Sequence, residues 1–550
     1  MAFSPRTRRT FLSALSAAPA VAIAPRAANA DAADGDPATM QQADLPTLPA
    51  VAHVGPSAPA HLGKATAIMV DTADVPGDLA AGLWRTAELL AEDLAKELDL
   101  PRRPQIRQGT VAAHAVGLRL SSQVDSPEGY ILHTDGATVI TGADPAGVYW
   151  GTQTLVQLVR GAYEADSAGG RGVELQAHVI DSPEHGERAV MLDCGRKYFS
   201  PDSIKRLVRE MSYLKLNTLQ MHISDNVGFR VECESYPMIV SEEHLTRSDV
   251  RDIVAYARDR HVEIILDLDT PSHLDHILES FPEYRLTLQD GTVLDNALDI
   301  TIPEARDMVK DILLEMMDVF ASDVVHIGGD EYLPAPWQEE DPSAIDDTSA
   351  RHVAEWAQDV TGDARAGALD AYVLYMNEIA ECVREHGSTA RMWSDDIYPG
   401  QGVVRVDQRT QADVWIRWDD SKPTAEDIVD DGHEIMNANG DYLYFILTED
   451  GIGTGPTKNP TGIYESWDPR RFMGAAGDEG DFDLPARHPM LGAHLSVWCD
   501  SPPALTQEEV LDNLLEWMQS FSQQVWGGEK IAPTFAELTE EVVSVVGSAP

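Results

Sequence analysis

The chain is short of positive charge. Lys and Arg together number 41 against 91 Asp and Glu over 550 residues, a formal net charge of −50. A phosphate backbone wants a basic face, so nucleic acid is excluded as a partner, and an anionic membrane surface is disfavoured for the same reason. Lysine is the scarcer cation, at 9 of the 41, a skew that suits a salty medium or a GC-rich genome equally. Cysteine is nearly absent. Cys194, Cys233, Cys382 and Cys499 are scattered with no CxxC and no metal-ligand spacing, and a chain of this length does not depend on disulfide staples. Long apolar runs are also lacking. The one that stands out, FLSALSAAPAVAIA at 11–24, is too short to span a bilayer at ~1.5 Å per residue. No Gly-rich phosphate loop follows any strand-like segment, which weakens a doubly wound nucleotide-binding sheet. Core material is plentiful: 43% of residues are hydrophobic, which excludes global disorder.

Arg8 and Arg9 precede the apolar run, and Ala28-Asn29-Ala30 ends it with small residues. This pattern reads as a twin-arginine signal peptide over 1–30, with the protein exported to the envelope or medium and no membrane anchor. Residues 31–60, rich in Ala, Asp and Pro, read as a linker. Residues 61–180 read as a small α+β domain: a helix over 81–98, two short strands around a glycine turn in EGYILHTDGATVITGAD (128–144), and an apolar helix over 147–159. From 181 to 530 short apolar strands alternate with amphipathic helices, and 531–550 is left as a C-terminal tail. The strands are RAVMLD (188–193), NTLQMHISD (217–225), EIILDLD (263–269), DVVHIGGDE (323–331), ARMWSDD (390–396), DVWIRWD (413–419), HEIMNAN (433–439) and GAHLSVW (492–498). Ser200-Pro201 supplies an N-cap followed by a proline at the first helical position. Eight β-then-α units predict an α/β fold, a (β/α)8 TIM barrel preceded by a smaller α+β domain.

Nearly every strand finishes in polar or aromatic residues: Arg188 and Asp193, His222 and Asp225, Asp269 and His273, Asp330 and Glu331, Trp393, Trp418, Tyr442 and Tyr444, Trp498 and Asp500. In a barrel these ends converge on one face, where catalytic groups sit. Any one of them alone is more often a cap or a satisfied core residue; their recurrence at one structural phase is the signal. Asp330-Glu331 is the sharpest pair. Strand neighbours point to opposite faces, so both serve one substrate only if the strand has ended, and Gly328-Gly329 permits that bend. The competing reading is an acidic first turn of a helix.

HIGGDEY (326–332) resembles the catalytic motif of glycoside hydrolase family 20, the β-N-acetylhexosaminidases. The stretch 188–230 resembles the family's first two strands, and LDLDTPSH (266–273) its third. The likeness runs from about residue 128 to the last strand. It implies an exo-acting hydrolase of β-linked N-acetylhexosamine whose substrate supplies its own nucleophile, the 2-acetamido oxygen. By resemblance Glu331 is the general acid and then base, with a carboxyl raised by the charge of Asp330. Asp330 orients the acetamide N–H, Tyr442 donates to the acetamide oxygen, and Asp225 and His273 form a supporting pair. Arg188 grips the sugar hydroxyls, Trp393, Trp418 and Trp498 wall the pocket, and Asp500 accepts from ring hydroxyls. The partner implied is a glycan or oligosaccharide; no metal or organic cofactor is implied.

Many family members carry Asp two residues after the acetamide tyrosine, whereas this chain reads Tyr442-Leu443-Tyr444. That pattern resembles the branch holding dispersin and lacto-N-biosidase. Three readings therefore stay open: release of a single N-acetylhexosamine, release of Gal-β-1,3-GlcNAc, or hydrolysis of β-1,6-linked poly-N-acetylglucosamine. A fourth, from another class, is a sugar-binding protein that has lost the chemistry. Two insertions are candidate lids: 333–369 with Trp337, and 448–490 with Tyr464 and Trp467. Barrel closure would bring Cys194 and Cys499 together, which makes a disulfide between them a hypothesis.

Overall fold

The computed structural model describes residues 45–550 apart from 74, 166–171, 334–344, 418–421 and 475–479. The signal segment, Trp337 and Trp418 lie outside the described residues. Eight parallel strands close on themselves: β1 (Glu187–Asp193), β2 (Thr218–His222), β3 (Glu263–Asp267), β4 (Val324–His326), β5 (Thr389–Trp393), β6 (Gln411–Val414), β7 (Ile435–Asn437) and β8 (Gly492–Trp498). Each pairs with the next, and β8 returns to β1 with Glu187 opposite Gly492 and Leu192 opposite Val497. All eight expected strands are present, and the fold is the expected TIM barrel with a smaller domain before it.

Capping chemistry sets the helix starts. Ser200 accepts from the Ser203 amide ahead of Pro201–Tyr213, and Thr246, Thr424 and Thr506 each close a capping box with an acid three residues on. One β-then-α unit departs from expectation: β5 runs to β6 through residues 394–410 without a helix. A further strand, Tyr444–Thr448, pairs parallel with the end of β8, while β7 pairs only with its beginning.

The smaller domain is a seven-stranded sheet covered by two helices, Gly77–Glu97 and Pro145–Ala165. The expected hairpin is there, Tyr130–Thr134 with Thr138–Gly142, turning at Gly136 (φ 62°). Two expected boundaries shift. Residues 45–51 are packed rather than a linker: Leu48 and Val51 are fully buried, and Gln157 both donates to and accepts from the Leu48 backbone. The expected tail buries Leu538, Val542 and Val546, and Tyr213 donates to the Val546 carbonyl.

Buried charge joins the domains. Lys215 Nζ lies 2.9 Å from Asp181 Oδ2, and Trp526 donates to the other Asp181 oxygen. All four cysteines are free, so Cys194 and Cys499 are not bonded. Among the described residues no helix is long and apolar enough to cross a membrane.

Candidate active site

β4 ends at His326, and the chain then turns through Gly328 (φ 68°), Gly329 (φ 101°) and Glu331 (φ 54°). This is the break in alternation that two adjacent carboxyls need in order to face one space. A side chain at Gly328 would stand 1.7 Å from Asp269 Oδ1, so only glycine fits. The turn is held from three sides. Tyr372 donates to the Gly329 carbonyl, Ser272 to the Asp330 carbonyl, and the Glu331 amide donates to Asp395 Oδ2 at 3.2 Å.

His273 is the hub. Its Nε2 lies 3.4 Å from Asp330 Oδ2 and 3.3 Å from Glu331 Oε2, and its Nδ1 lies 3.4 Å from Asp225 Oδ1. Asp225 in turn contacts His222 Nε2 at 3.0 Å and Arg196 Nη1 at 2.8 Å. Burial opposes a charge on His273, but Asp330 and Asp225 outweigh it and hold the ring as imidazolium well above its ordinary range. Burial pushes the Asp330 carboxyl up, and the charge of Glu331 adds to that. Glu331, half-exposed, goes the other way: the hydrogen bond from His273, and the charges of His273 and Arg196 beyond it, hold it below the usual carboxylate range against burial. The expected raised carboxyl at Glu331 is therefore corrected for the free protein. The elevated member of the pair is Asp330, because its deeper burial outweighs the imidazolium that both carboxyls share.

A cavity of about 320 Å³ opens over this cluster. Trp393, Trp415, Tyr444 and Trp498 form its walls. Trp415 stacks on Tyr444 (centroids 5.8 Å apart, 6° between planes), and Trp393 lies 6.0 Å from Trp498. Arg196 lies with its guanidinium 5.2 Å from the Trp498 ring centre. Asp500 lines the cavity, its carboxyl pushed up by burial. Asp441, Ile446, Lys458 and Met473 also line the cavity.

Of the expected residues, Glu331, Asp330, His273, Trp393, Trp498, Asp500 and Tyr444 line the cavity, and Asp225 stands directly behind His273. Two do not join them. Arg188 is at the N-terminal end of β1, away from the strand ends that form the mouth. It is fully buried, ion-paired to Glu128 at 2.6 Å, and donates to the carbonyls of Lys215 and His185. Arg196, just past the end of the same strand, takes the place expected of it. Tyr442 does not line the cavity; its hydroxyl donates to Asp481 at 3.0 Å, and Tyr444 occupies the pocket instead. Trp418 lies outside the described residues, and Trp415 supplies that wall. Tyr464 and Trp467 are core residues, Tyr464 donating to the Ala532 carbonyl, but the same insertion sends Lys458 and Met473 into the pocket.

The sequence reading passed over Arg196, Trp415, Asp395 and Lys458. Phase would have found the first three, since each lies one to three residues beyond a strand's C-terminal end. Of three donor groups among the described residues whose ligand atoms lie within 4.8 Å of one another, one is Glu426, Asp430 and His488, and two belong to this site: Asp193, His222 and Asp225, and Asp269, His273 and Asp330. Arg196 already bridges Asp193 and Asp225 in the first, and the second is neutralised by the His273 imidazolium. Neither arrangement calls for a metal.

A parallel barrel whose C-terminal mouth sets a carboxylic acid beside a second carboxyl under an aromatic wall defines a glycoside hydrolase. The model of the glycosyl hydrolase family 20 catalytic domain matches residues 185–527, and that of the family's domain 2 matches 45–180. The chain belongs to glycosyl hydrolase family 20. It is 26% identical over 461 residues to a lacto-N-biosidase of Bifidobacterium bifidum, a match covering 83% of this chain and 38% of that one. It is 23% identical over 403 residues to a β-hexosaminidase of Vibrio furnissii, covering 68% and 61%. Among solved structures, the family 20 β-N-acetylhexosaminidase of Streptomyces coelicolor A3(2) superposes with a TM-score of 0.67 at 22% identity, over 92% of this chain and 97% of that one, and shares the fold.

Proposed function

We propose that the protein is a retaining exo-glycosidase that hydrolyses β-linked N-acetylhexosamine termini by substrate-assisted catalysis. The observation that carries this reading is the adjacency of Asp330 and Glu331 on one turn, both within 3.4 Å of the same imidazole. Asp330 Oδ1 is buried and accepts no N–H from the described residues, and its carboxyl neighbour is Asp269, so an acetamide N–H would supply the donor it lacks. The acetamide oxygen attacks the anomeric carbon as the glycosidic bond breaks, forming an oxazolinium whose positive charge Asp330 stabilises. Glu331 gives its proton to the departing oxygen. Water then attacks the anomeric carbon, the bond to the acetamide oxygen breaks, and Glu331 takes a proton from that water.

Glu331 reaches the acid form on substrate binding. Covering a half-exposed carboxylate with a sugar removes water from it, which favours the neutral form, and the His273 imidazolium is at hand to supply the proton. Tyr444 takes the role of donor to the acetamide oxygen, and Arg196 that of the hydroxyl-gripping cation. The residues 4–30 support export by the twin-arginine route.

A second reading, release of a disaccharide such as Gal-β-1,3-GlcNAc, is supported by a cavity of about 320 Å³ whose lining takes in Asp441, Lys458 and Met473 besides the residues around the two acids. An aryl N-acetyl-β-glucosaminide and an aryl lacto-N-bioside assayed side by side decide between them. Cleavage of the first supports the main reading, cleavage of the second alone the disaccharide reading. Cleavage of neither leaves a β-1,6 polymer or a binding protein. Glu331→Gln is expected to lose turnover of poorly activated leaving groups by ~10²-fold or more; wild-type rates in that variant would mean the acid lies elsewhere.

A further inference from the structure

Asp395 lies two residues beyond the end of β5, with 3% of its surface exposed. Its two carboxylate oxygens are used separately. Oδ2 accepts the backbone N–H of Glu331 at 3.2 Å, and Oδ1 accepts the indole N–H of Trp415. Those partners belong to different strands: Glu331 follows β4 and Trp415 follows β6. Glu331 has left the strand conformation, so its amide has no ladder partner, and the Asp395 oxygen is what satisfies it. Trp415 in turn stacks on Tyr444 and lies 6.2 Å from Trp393. The base of this bridge is itself fixed, because Lys422 Nζ donates to the Asp395 carbonyl at 2.8 Å and pairs with Asp396 at 3.0 Å.

We propose that Asp395 is a positioning residue for the reaction: a single carboxylate that locks the turn carrying Glu331 to the Trp415 wall, so that acid and sugar pocket hold one register. The proposal rests on the glycosidase reading above for its kinetic consequence and on geometry alone for its structural one. Asp395 acts through Glu331 and Trp415 and does not line the cavity. A displaced acid penalises poor leaving groups selectively, because only those need the proton early. A displaced wall penalises all substrates alike.

Asp395→Asn separates these effects. Its side chain offers one carbonyl oxygen, so one of the two N–H groups faces an NH2 and loses its acceptor. For this variant kcat/KM on a phenyl glycoside is expected to fall ~30-fold or more, within the ~10²–10⁴-fold that a general acid contributes. A dinitrophenyl glycoside should change by less than ~3-fold, so the dependence of log kcat/KM on leaving-group pKa steepens. Trp415→Phe keeps the aromatic face and removes the indole donor. It should reproduce part of the steepening, and the losses of the two single variants should not add in the double variant, since the Trp415 link runs through Asp395.

A readout independent of turnover is amide exchange of the peptide spanning 328–333. It should speed up in Asp395→Asn by ~10-fold relative to the rest of the barrel. A lower urea midpoint with the leaving-group slope and the 328–333 exchange both as in wild type would show a merely structural carboxylate and overturn the proposal. Absence of turnover of any N-acetylhexosaminide by wild type would instead defeat the glycosidase reading, and the exchange measurement would still decide the role of Asp395.

Discussion

Replacing Arg188 and Arg196 in turn tests which of the two arginines of the first strand serves the site. Arg188 is fully buried, 2.6 Å from Glu128, donating to two carbonyls at 2.8 Å and lying 5.1 Å from the Trp526 ring centre. Arg188→Ala leaves Glu128 with Trp150 Nε1 but no cation, and strips both carbonyls of their donor. Breaking one partner of a buried pair costs ~3–5 kcal/mol. The described residues run from 45 to 550, and at ~2.1 cal/mol/K per residue their unfolding entropy is about 1 kcal/mol per kelvin. A Tm lower by ~3–5 °C follows, with kcat/KM within ~2-fold of wild type. Arg196→Met removes a cation from the pocket itself. A charge-assisted hydrogen bond is worth ~1.5–3 kcal/mol, so kcat/KM should fall ~10–150-fold. Differential scanning fluorimetry and initial rates on an aryl glycoside read both. If Arg188→Ala instead loses kcat/KM as Arg196→Met does, with Tm unchanged, the placement of the two residues is wrong.

Gly328→Ala should abolish activity and lower stability by more than ~2 kcal/mol, because its Cβ would meet a carboxylate oxygen at 1.7 Å and the Thr270 amide at 2.7 Å at a φ of 68°. Gly291→Ala, also at positive φ but with nothing within 4 Å, is the control and should cost only ~1 kcal/mol with full activity; equal effects of the two on urea midpoint and rate would discredit the close approach. Burial, with the charges of Arg391 and His326, lowers His494 to about 3. The unfolded chain therefore binds a proton below its ordinary value of 6.5 that the folded chain refuses until about 3. Stability is whole above 6.5 and is lost as pH falls toward 3, by at most ~1.4 kcal/mol per pH unit. His494→Gln should remove ~2 kcal/mol of the loss seen between pH 6.5 and 5 in urea titrations; an unchanged slope would show that His494 is not the group responsible.

What the sequence revealed was what repeats. Eight apolar segments in phase with amphipathic helices were enough for the barrel, and two glycines before two acids were enough for the turn that sets both carboxyls at its mouth. What stayed hidden was phase at the scale of a few residues. Arg188 and Arg196 share a motif, and only the point where the strand ends puts one in the floor and the other at the mouth. Tyr442 and Tyr444 have the same side-chain parity, so period-two reasoning cannot rank them; pairing of Tyr444 with Ser496 does. The charge on Glu331 was unreadable because it depends on a histidine 58 positions away whose ring reaches both acids.

The segment bearing Tyr444 is laid along the outer half of β8, where the three-residue β7 leaves off, and doubles back through Gly451–Gly453. The pocket tyrosine thus rides on a splint rather than on a stave of the cylinder. Closure of the cylinder needs only Met436 and Asn437 against Gly492 and Ala493. Tyr464 and Trp467 tie the middle of the following segment into the core, but Lys458 and Met473 at its inner edge take no part in that closure, and whatever replaces them would decide how much of a sugar chain the site admits.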